Sequence, residues 1–334
     1  MKINIQYQET NKAWGGGNQF LTFLKKEFIK KNIYTDKVSQ ADIIIINSFE
    51  NFNKIIKLKN RYPDKKIVHR MDGLTQLYNN FLDKRDLLSF FLNKEVACAT
   101  IYQSKWSKSK ITELSKFINS HQEVIINSVD TNIFFNKKKE KLKKDKKLKL
   151  ISSSWSKNFK KGFKTIKWLD ENLDFNKFEY TFVGNSPIKF KNIKMVKPLS
   201  SKLLNYELNR HNIFISPTQQ EACSNSIIEA NACGLFTLAL NDGGNPEIIQ
   251  DQRLLFKNKK DLMDKLENFD TRKFKITKKS QKTISQYIKF LKTVNSKKIQ
   301  NKKLSYLKLL KANILKKYIY IFSYISSFYN LIIR

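Results

Sequence analysis

The sequence predicts an α/β fold built from two domains, each a parallel sheet covered by helices on both faces. Three observations carry this expectation. Short apolar runs recur along most of the chain, with amphipathic stretches between them. A dense run of charges divides those runs into two sets. The chain has only nine glycines in 334 residues, and eight of them fall where strands end or helices begin, while Gly234 follows a helix.

The first set of strands is expected at 3–7, 41–47, 66–69, 97–103 and 123–127, and the second at 148–153, 178–183, 193–196, 212–216 and 235–240. Runs such as Ile43-Ile44-Ile45-Ile46 are apolar without alternation, as strands buried on both faces should be. Amphipathic stretches such as 19–31 and 163–173 supply the covering helices. Between the sets, 137–147 is almost entirely charged, mostly lysine, and cannot be core. The expected organisation is an N-terminal domain at 1–136, a linker at 137–147, a C-terminal domain at 148–270, and a crossover helix with a basic helical tail at 271–334. In such paired sheets ligands bind beyond the carboxyl ends of the strands.

Composition bounds the remaining possibilities. A hydrophobic content of 41% suits a globular chain with a substantial core. Three cysteines (Cys98, Cys223, Cys233) form neither a disulfide framework nor a metal-ligand spacing, and read as reduced, buried thiols of a cytoplasmic protein. Residues 1–6 read as a short strand rather than a secretory leader. The net charge of +35 invites a nucleic-acid reading. Lysine, asparagine, isoleucine and phenylalanine are all abundant, however, which points to biased composition rather than a binding face.

Several segments at expected strand ends carry chemistry. Trp14-Gly15-Gly16-Gly17-Asn18 reads as a loop before a helix near Gln19, open enough for backbone N–H groups to approach an anion. It lacks the fingerprints of a P-loop or a dinucleotide site. His69-Arg70-Met71-Asp72-Gly73 closes a strand, where His69, Arg70 and Asp72 are placed to contact a substrate. Lys157, Lys160 and Lys161 precede Gly162 and a helix, a suitable clamp for a diphosphate, with Lys161 the strongest candidate. Asn241-Asp242-Gly243-Gly244-Asn245-Pro246-Glu247 reads as a tight turn into a helix. Glu221 to Gly234 places one glutamate in a loop, Ser224, Asn225 and Ser226 at a helix start, and Glu229 inside the helix. That layout fits a phosphorylated, polyhydroxylated ligand. Ser226-Ile227-Ile228-Glu229 equally fits a capping box closed by Glu229, so both readings stand at this point.

Glu221 and Glu229 are eight apart, and the motifs form an ordered series over about residues 1–265. The glycine loop comes first, then Asn127-Ser128-Val129-Asp130 with Phe134, Lys161-Gly162, Phe182-Val183-Gly184, the E-x7-E pair, and Gly243-Gly244-Asn245-Pro246-Glu247. This series resembles the GT-B fold glycosyltransferases of the retaining family 4 type (glycosyl transferases group 1), whose two Rossmann-like domains face a central cleft. The resemblance implies a transferase that moves a sugar from a nucleotide-sugar donor to a glycan or lipid-linked acceptor with retention. Polysaccharide or lipopolysaccharide synthesis is the implied setting. It implies that Glu221 holds donor-sugar hydroxyls, that the Ser224–Asn225–Ser226 helix start receives phosphate, and that Glu229 binds the ribose. Lys161 would stabilise the leaving diphosphate, and Gly16, Gly17 and Gly184 would line the donor. His69 would sit on the acceptor side near the anomeric carbon, with Arg70 and Asp72 beside it. No metal or other cofactor is expected, because basic residues do that work in the family. The sequence departs from the pattern at Ser154-Trp155-Ser156, where an arginine partner of the clamp lysine is usual, so Lys157 or Asn158 becomes the candidate substitute.

From Thr271 to Arg334 there are 17 Lys/Arg and no Asp or Glu, about half of the net charge. Residues 318–333 form an uncharged, aromatic-rich run too short to span a bilayer. Two placements are open: a segment on an anionic membrane surface, using 303–334, or a helix packed on the domain. The first would put the protein at the inner face of the cytoplasmic membrane. Two other functions remain as alternatives: a different enzyme on the same fold, such as a phosphorylase or epimerase, and a basic nucleic-acid- or surface-binding protein. The latter leaves the spaced glutamates and the placed glycines without a purpose.

Overall fold

The computed structural model describes residues 1–7, 16–137, 147–249, 251–270, 282–299 and 302–332. The chain opens with β1 (Ile3–Gln6), α1 (Gly16–Lys30), β2 (Ile43–Asn47), α2 (Phe52–Arg61) and β3 (Lys66–Met71). Two short helices, α3 (Thr75–Tyr78) and α4 (Asp86–Phe91), precede β4 (Ala99–Tyr102), α5 (Lys105–Ser115) and β5 (Gln122–Val124). The second series runs β6 (Leu148–Ser154), α6 (Phe163–Asn172), β7 (Phe178–Gly184), β8 (Lys194–Val196), α7 (Ser201–Asn209) and β9 (Ile213–Ser216). It continues with α8 (Asn225–Ala232), β10 (Phe236–Leu240), α9 (Asn245–Ile248), β11 (Leu255–Phe256) and α10 (Lys259–Glu267). Two helices follow, α11 (Thr283–Ser296) and α12 (Tyr306–Ile332).

Both sheets are parallel throughout, as the unalternating apolar runs predict. The first has five strands in the order β1-β2-β3-β4-β5, and the second six in the order β11-β10-β9-β6-β7-β8. Every residue of β1, β2 and β9 is buried, whereas the edge strands β5 and β8 are partly exposed. The expected α/β class and its ten strands hold, with bounds that move by up to three residues, and the short edge strand β11 is an addition.

Two compact units emerge. One comprises residues 1–9, 21–126 and 282–334, and the other residues 10–20 and 127–281. The break at Ile126–Asn127 precedes the expected boundary at 136. The reason is local: Val129 and Phe134 are buried, and Phe135 and Lys137 donate backbone N–H groups to Asn205 Oδ1 (3.2 Å) and Asn209 Oδ1 (2.8 Å) of α7. This segment therefore belongs to the second unit. In the first unit, α11 buries Tyr287, Leu291 and Val294, and Thr283 Oγ1 donates to the Ile126 carbonyl (3.1 Å). Residues 271–281, the start of the expected crossover helix, lie outside the described residues.

Three expectations need correction. Gly16 and Gly17 form the first turn of α1 rather than a loop, an allowed place because first-turn N–H groups need no intrahelical acceptor. Trp14 and Gly15 lie outside the described residues, as do 138–146 of the linker. Cys98 is half-buried, while Cys223 and Cys233 are buried as expected. Residues 318–332 of the uncharged run are not a separate segment but the second half of α12, one continuous helix from Tyr306 to Ile332. Its Ala312 and Ile319, with Leu304 just before it, join a core cluster containing Ile44, Ile55, Leu58, Phe91 and Leu92.

Candidate functional site

Four loops of the second unit leave neighbouring strands at the same edge of the sheet, because β10, β9, β6 and β7 are adjacent and parallel. They carry Lys161 after β6, Gly184 at the end of β7, Glu221 after β9, and Gly243 after β10. Sequence motifs far apart in the chain thus meet at the carboxyl ends of the strands.

Lys161 and Glu221 are in contact. Lys161 Nζ donates to both carboxylate oxygens of Glu221, at 2.8 and 2.9 Å. The two side chains retain 18% and 21% exposure, so the pair is reachable from solvent. Backbone bonds hold them together: Gln219 N–H donates to the Lys160 carbonyl at 2.7 Å. Gly162 allows this closeness, since its φ of +83° suits glycine and a Cβ there would collide with Pro217. On the other side the Glu221 loop rests on the Gly243 turn. Gly244 N–H donates to the Glu221 carbonyl (2.8 Å), and Gln220 N–H to Asp242 Oδ2 (3.0 Å). Gly243 has φ +61°, and a Cβ would stand 2.6 Å from that same carbonyl oxygen. Asn245, fully buried, donates to the Thr218 and Leu240 carbonyls (both 3.1 Å) and locks the turn to the end of β9.

Helix α8 follows directly. Its first residue is Asn225, with Ser224 as N-cap and no side-chain capping bond. The capping-box reading is therefore wrong, because Ser226 lies inside the helix rather than before it. Ser224 is buried and shares a hydrogen bond with Ser226 (Oγ–Oγ 3.0 Å), while Asn225 Oδ1 accepts from Asn127 Nδ2 (3.0 Å). Glu229 is buried one turn on, and burial pushes its carboxyl up to about 8. Among the described residues no group donates to it. Gly184 lies opposite Ser154, where a Cβ would strike the Ser154 carbonyl, so its glycine serves the close pairing of β6 and β7.

The clamp substitutes divide. Asn158 accepts the Lys160 N–H (2.8 Å) and so caps the turn holding Lys161, whereas Lys157 is exposed. Of the two, Lys157 is the one with its charge available.

In the first unit, His69, Arg70 and Asp72 end β3, and the structure gives them different surroundings. His69 is fully buried, its Nε2 2.9 Å from the Ser48 carbonyl, and burial lowers its pKa to about 4. A neutral ring that donates to a backbone carbonyl differs from the substrate-facing group expected. The cause is register: His69 lies within β3, paired with Thr100 of β4 and Ile46 of β2, and its side chain enters the covered face. Arg70 is also buried. Its Nη1 donates to Asn47 Oδ1 (2.6 Å) and stands 3.6 Å from Asp72 Oδ1. Asp72 is partly exposed and accepts from Gln103. Glu50 accepts from Asn47 Nδ2 (3.1 Å), and its carboxyl is pushed up by burial and then by Asp72.

Residues 132–289 match the model of the family described as Glycosyl transferases group 1. Over those residues the chain is similar to glycosyl transferases group 1. Its enzyme class is glycosyltransferase, and its fold is GT-B. Solved structures support the fold independently. HepE from Anabaena, in complex with UDP-glucose, superposes with a TM-score of 0.63 at 13% identity, covering 88% of this chain and 98% of that one. Sucrose-phosphate synthase from Thermosynechococcus elongatus gives 0.55 at 14% identity, over 96% and 80%. The catalytic domain of starch synthase IV from Arabidopsis thaliana, bound to ADP and acarbose, gives 0.58 at 11% identity, over 86% and 79%. A search of the curated proteins found no match.

In this glycosyltransferase, sequence reading did not single out Asn47, Glu50, Gln103 or Asp242 as parts of the two polar clusters. Asn47 carried a usable signal, a polar side chain closing a run of four isoleucines at a strand's carboxyl end. Asp242 and Gln103 meet their partners only through tertiary pairing, which local pattern does not encode.

Proposed function

We propose that the protein transfers a sugar, with retention, from a nucleotide-sugar donor to a glycan or lipid-linked acceptor in cell-surface polysaccharide or lipopolysaccharide synthesis. The Lys161–Glu221 pair carries the reading. A lysine and a glutamate that neutralise each other at rest offer a donor its two needs at once. Phosphate oxygens take the ammonium, and sugar hydroxyls donate to the carboxylate. Nothing else in the local fold requires the pair, because the backbone bonds at Gln219 and Gly244 already fix both loops.

In this reading Glu221 orients the donor sugar and the first turn of α8, from Ser224 to Ser226, receives phosphate. Glu229 accepts from the ribose, which supports its burial without an internal donor. As the glycosidic bond to the diphosphate breaks, negative charge grows on the leaving oxygen, and Lys161, with Lys157 nearby in sequence, stabilises it. That supply of positive charge is what makes a metal unnecessary here. Asp72 of the first unit, partly exposed, is assigned to the acceptor, with the buried Arg70 positioning it, and His69, also buried, to holding β3 and the Ser48 turn in place. The protein acts at the cytoplasmic side, where nucleotide sugars are made.

A panel of nucleotide sugars tested by thermal shift identifies the donor, since a ligand at 100 times its Kd stabilises by about 2.7 kcal/mol. Product formation from that donor without added phosphate, with the anomeric configuration kept in the product's NMR spectrum, is the expected result. Inversion overturns the retaining mechanism, and a requirement for inorganic phosphate overturns transfer in favour of phosphorolysis.

A further inference from the structure

Helix α12 has two faces of different fate. Toward the first unit it buries Ala312 and Ile319, with Leu309 and Leu315 packed beside them. Lys308 on that side bonds Glu95 at 2.7 Å. The opposite face carries Leu307, Leu310, Ile314, Tyr318, Ile321 and Ile325, all exposed. Their spacing of three and four residues keeps them on one stripe, about 27 Å long from Leu307 to Ile325, of a helix with 3.6 residues per turn. Exposure reaches 74% at Leu307, 59% at Ile314 and 57% at Ile321. Isolated exposed apolar side chains are ordinary, but six in one line are not.

The charges around the stripe say what covers it. Lys311 and Lys317 are exposed and, at 100° per residue, border the stripe on its two sides. Lys302 and Lys303 are exposed just before the helix. No acidic residue occurs anywhere from 271 to 334. A second copy of this chain laid on the stripe would bring lysine against lysine. A nucleic acid would use the lysines and leave the aliphatic line in water. A bilayer with anionic head groups takes both, the side chains entering the acyl boundary and the ammonium groups remaining among phosphates. No described helix is long and apolar enough to cross a membrane, so contact is along the surface.

We infer that the outer stripe of α12, from Leu307 to Ile325 with Lys311 and Lys317 on its borders, is a docking surface for an anionic lipid bilayer. The helix is thus fixed to the protein by one face and to the membrane by the other, which joins the two placements that the sequence left open. This inference is independent of the sugar-transfer reading, and its test uses no donor.

The full chain is sedimented with vesicles of phosphatidylcholine alone and with vesicles containing roughly one third phosphatidylglycerol. Strong binding to the second, weakened by salt, is expected. The doubly substituted Ile314→Glu/Ile321→Glu protein should bind at least ~10-fold more weakly, because a charge replaces each inserted side chain. Lys311→Ala/Lys317→Ala leaves the stripe intact and should weaken binding by about 30-fold. The two variants probe different groups, and far-UV circular dichroism with thermal unfolding shows whether each is folded. Equal binding of folded wild type and folded variants overturns the inference, as does equal binding to neutral vesicles. A dimer seen by analytical ultracentrifugation, lost in the isoleucine variant and unaccompanied by vesicle binding, overturns it in favour of a second copy.

Discussion

Lys161 Nζ bridges the two carboxylate oxygens of Glu221 at 2.8 and 2.9 Å, so each group occupies the other's ligand-binding valence. A partly exposed ion pair is worth about 1 kcal/mol or less, little enough for a donor to replace with its own phosphates and hydroxyls. In the proposed reading, separation of the pair accompanies arrival of the donor.

Glu221→Gln follows directly. The amide keeps the shape but releases Lys161, so nucleoside diphosphate binding should be unchanged or tighter, while kcat falls about 100- to 1000-fold as the sugar loses its acceptor. Unfolding free energy should change by less than ~1 kcal/mol. Calorimetric titration, steady-state transfer and urea unfolding measure the three separately. Full activity in this variant would falsify the assignment of Glu221.

Gly243→Ala tests the turn beneath that glutamate. The new Cβ would sit 2.6 Å from the Glu221 carbonyl oxygen and 2.8 Å from its nitrogen, at a φ of +61° that costs a non-glycine residue about 1–2 kcal/mol. Both backbone atoms belong to the residue that must be placed correctly. A stability loss of about 2 kcal/mol should be accompanied by a fall in kcat/KM of more than ~10-fold. Loss of stability alone, with kcat/KM intact, would show that the turn does not position Glu221.

The legible part of this protein is what a parallel sheet imposes on sequence. Runs such as Ile43 to Ile46 had to be continuous because both faces are covered, and the glycines at 162, 184 and 243 had to be glycine because backbone approaches within a Cβ's reach. Glu221 and Lys161 were readable as separate signals, but their contact was not, since it depends on β6 and β9 being neighbours. His69 misled for a related reason. Its position near a strand's end suggested exposure, and only the pairing of β3 with β2 and β4 shows that its side chain faces inward. The capping box failed by a shift of the helix start to Asn225. Local spacing cannot fix a helix boundary to within that margin.

Glu229 makes the second unit sensitive to pH across the window from 4.5 to about 8. Its carboxyl is raised by burial to about 8, above its ordinary value of 4.5, so the folded state holds a proton that the unfolded chain gives up. Stability is therefore highest below pH 4.5 with respect to this group and declines as pH rises toward 8, by a few kcal/mol, on the order of 1.4 per unit. Glu229→Gln should remove that slope in urea unfolding without ligand. Ribose hydroxyls donating to the carboxylate favour its ionised form, so donor binding between pH 5 and 8 should release a proton. Calorimetry in two buffers of different ionisation enthalpy detects that release. Proton uptake, or no transfer of protons, would remove Glu229 from the ribose site.

His69 acts in the opposite direction and in the other unit. Held neutral by burial, with a pKa near 4 against an ordinary 6.5, it binds no proton in the folded state where the unfolded chain would take one. Its contribution is therefore complete above pH 6.5 and is lost as pH falls toward 4, by about 3 kcal/mol. Hydrogen exchange at amides of β2 and β3 isolates this unit and should quicken as pH falls through that window, after correction for the intrinsic rate. His69→Asn should lower protection at pH 7, since the bond to the Ser48 carbonyl is disturbed, but should flatten the dependence on pH. Activity discriminates as well: a positioning residue loses kcat in proportion to disorder of the Ser48 turn, whereas a group that exchanges protons with substrate imposes its own pKa on the rate profile. An acid limb near pH 4 in kcat/KM that vanishes in a still-folded His69→Asn protein would return the imidazole to the reaction itself.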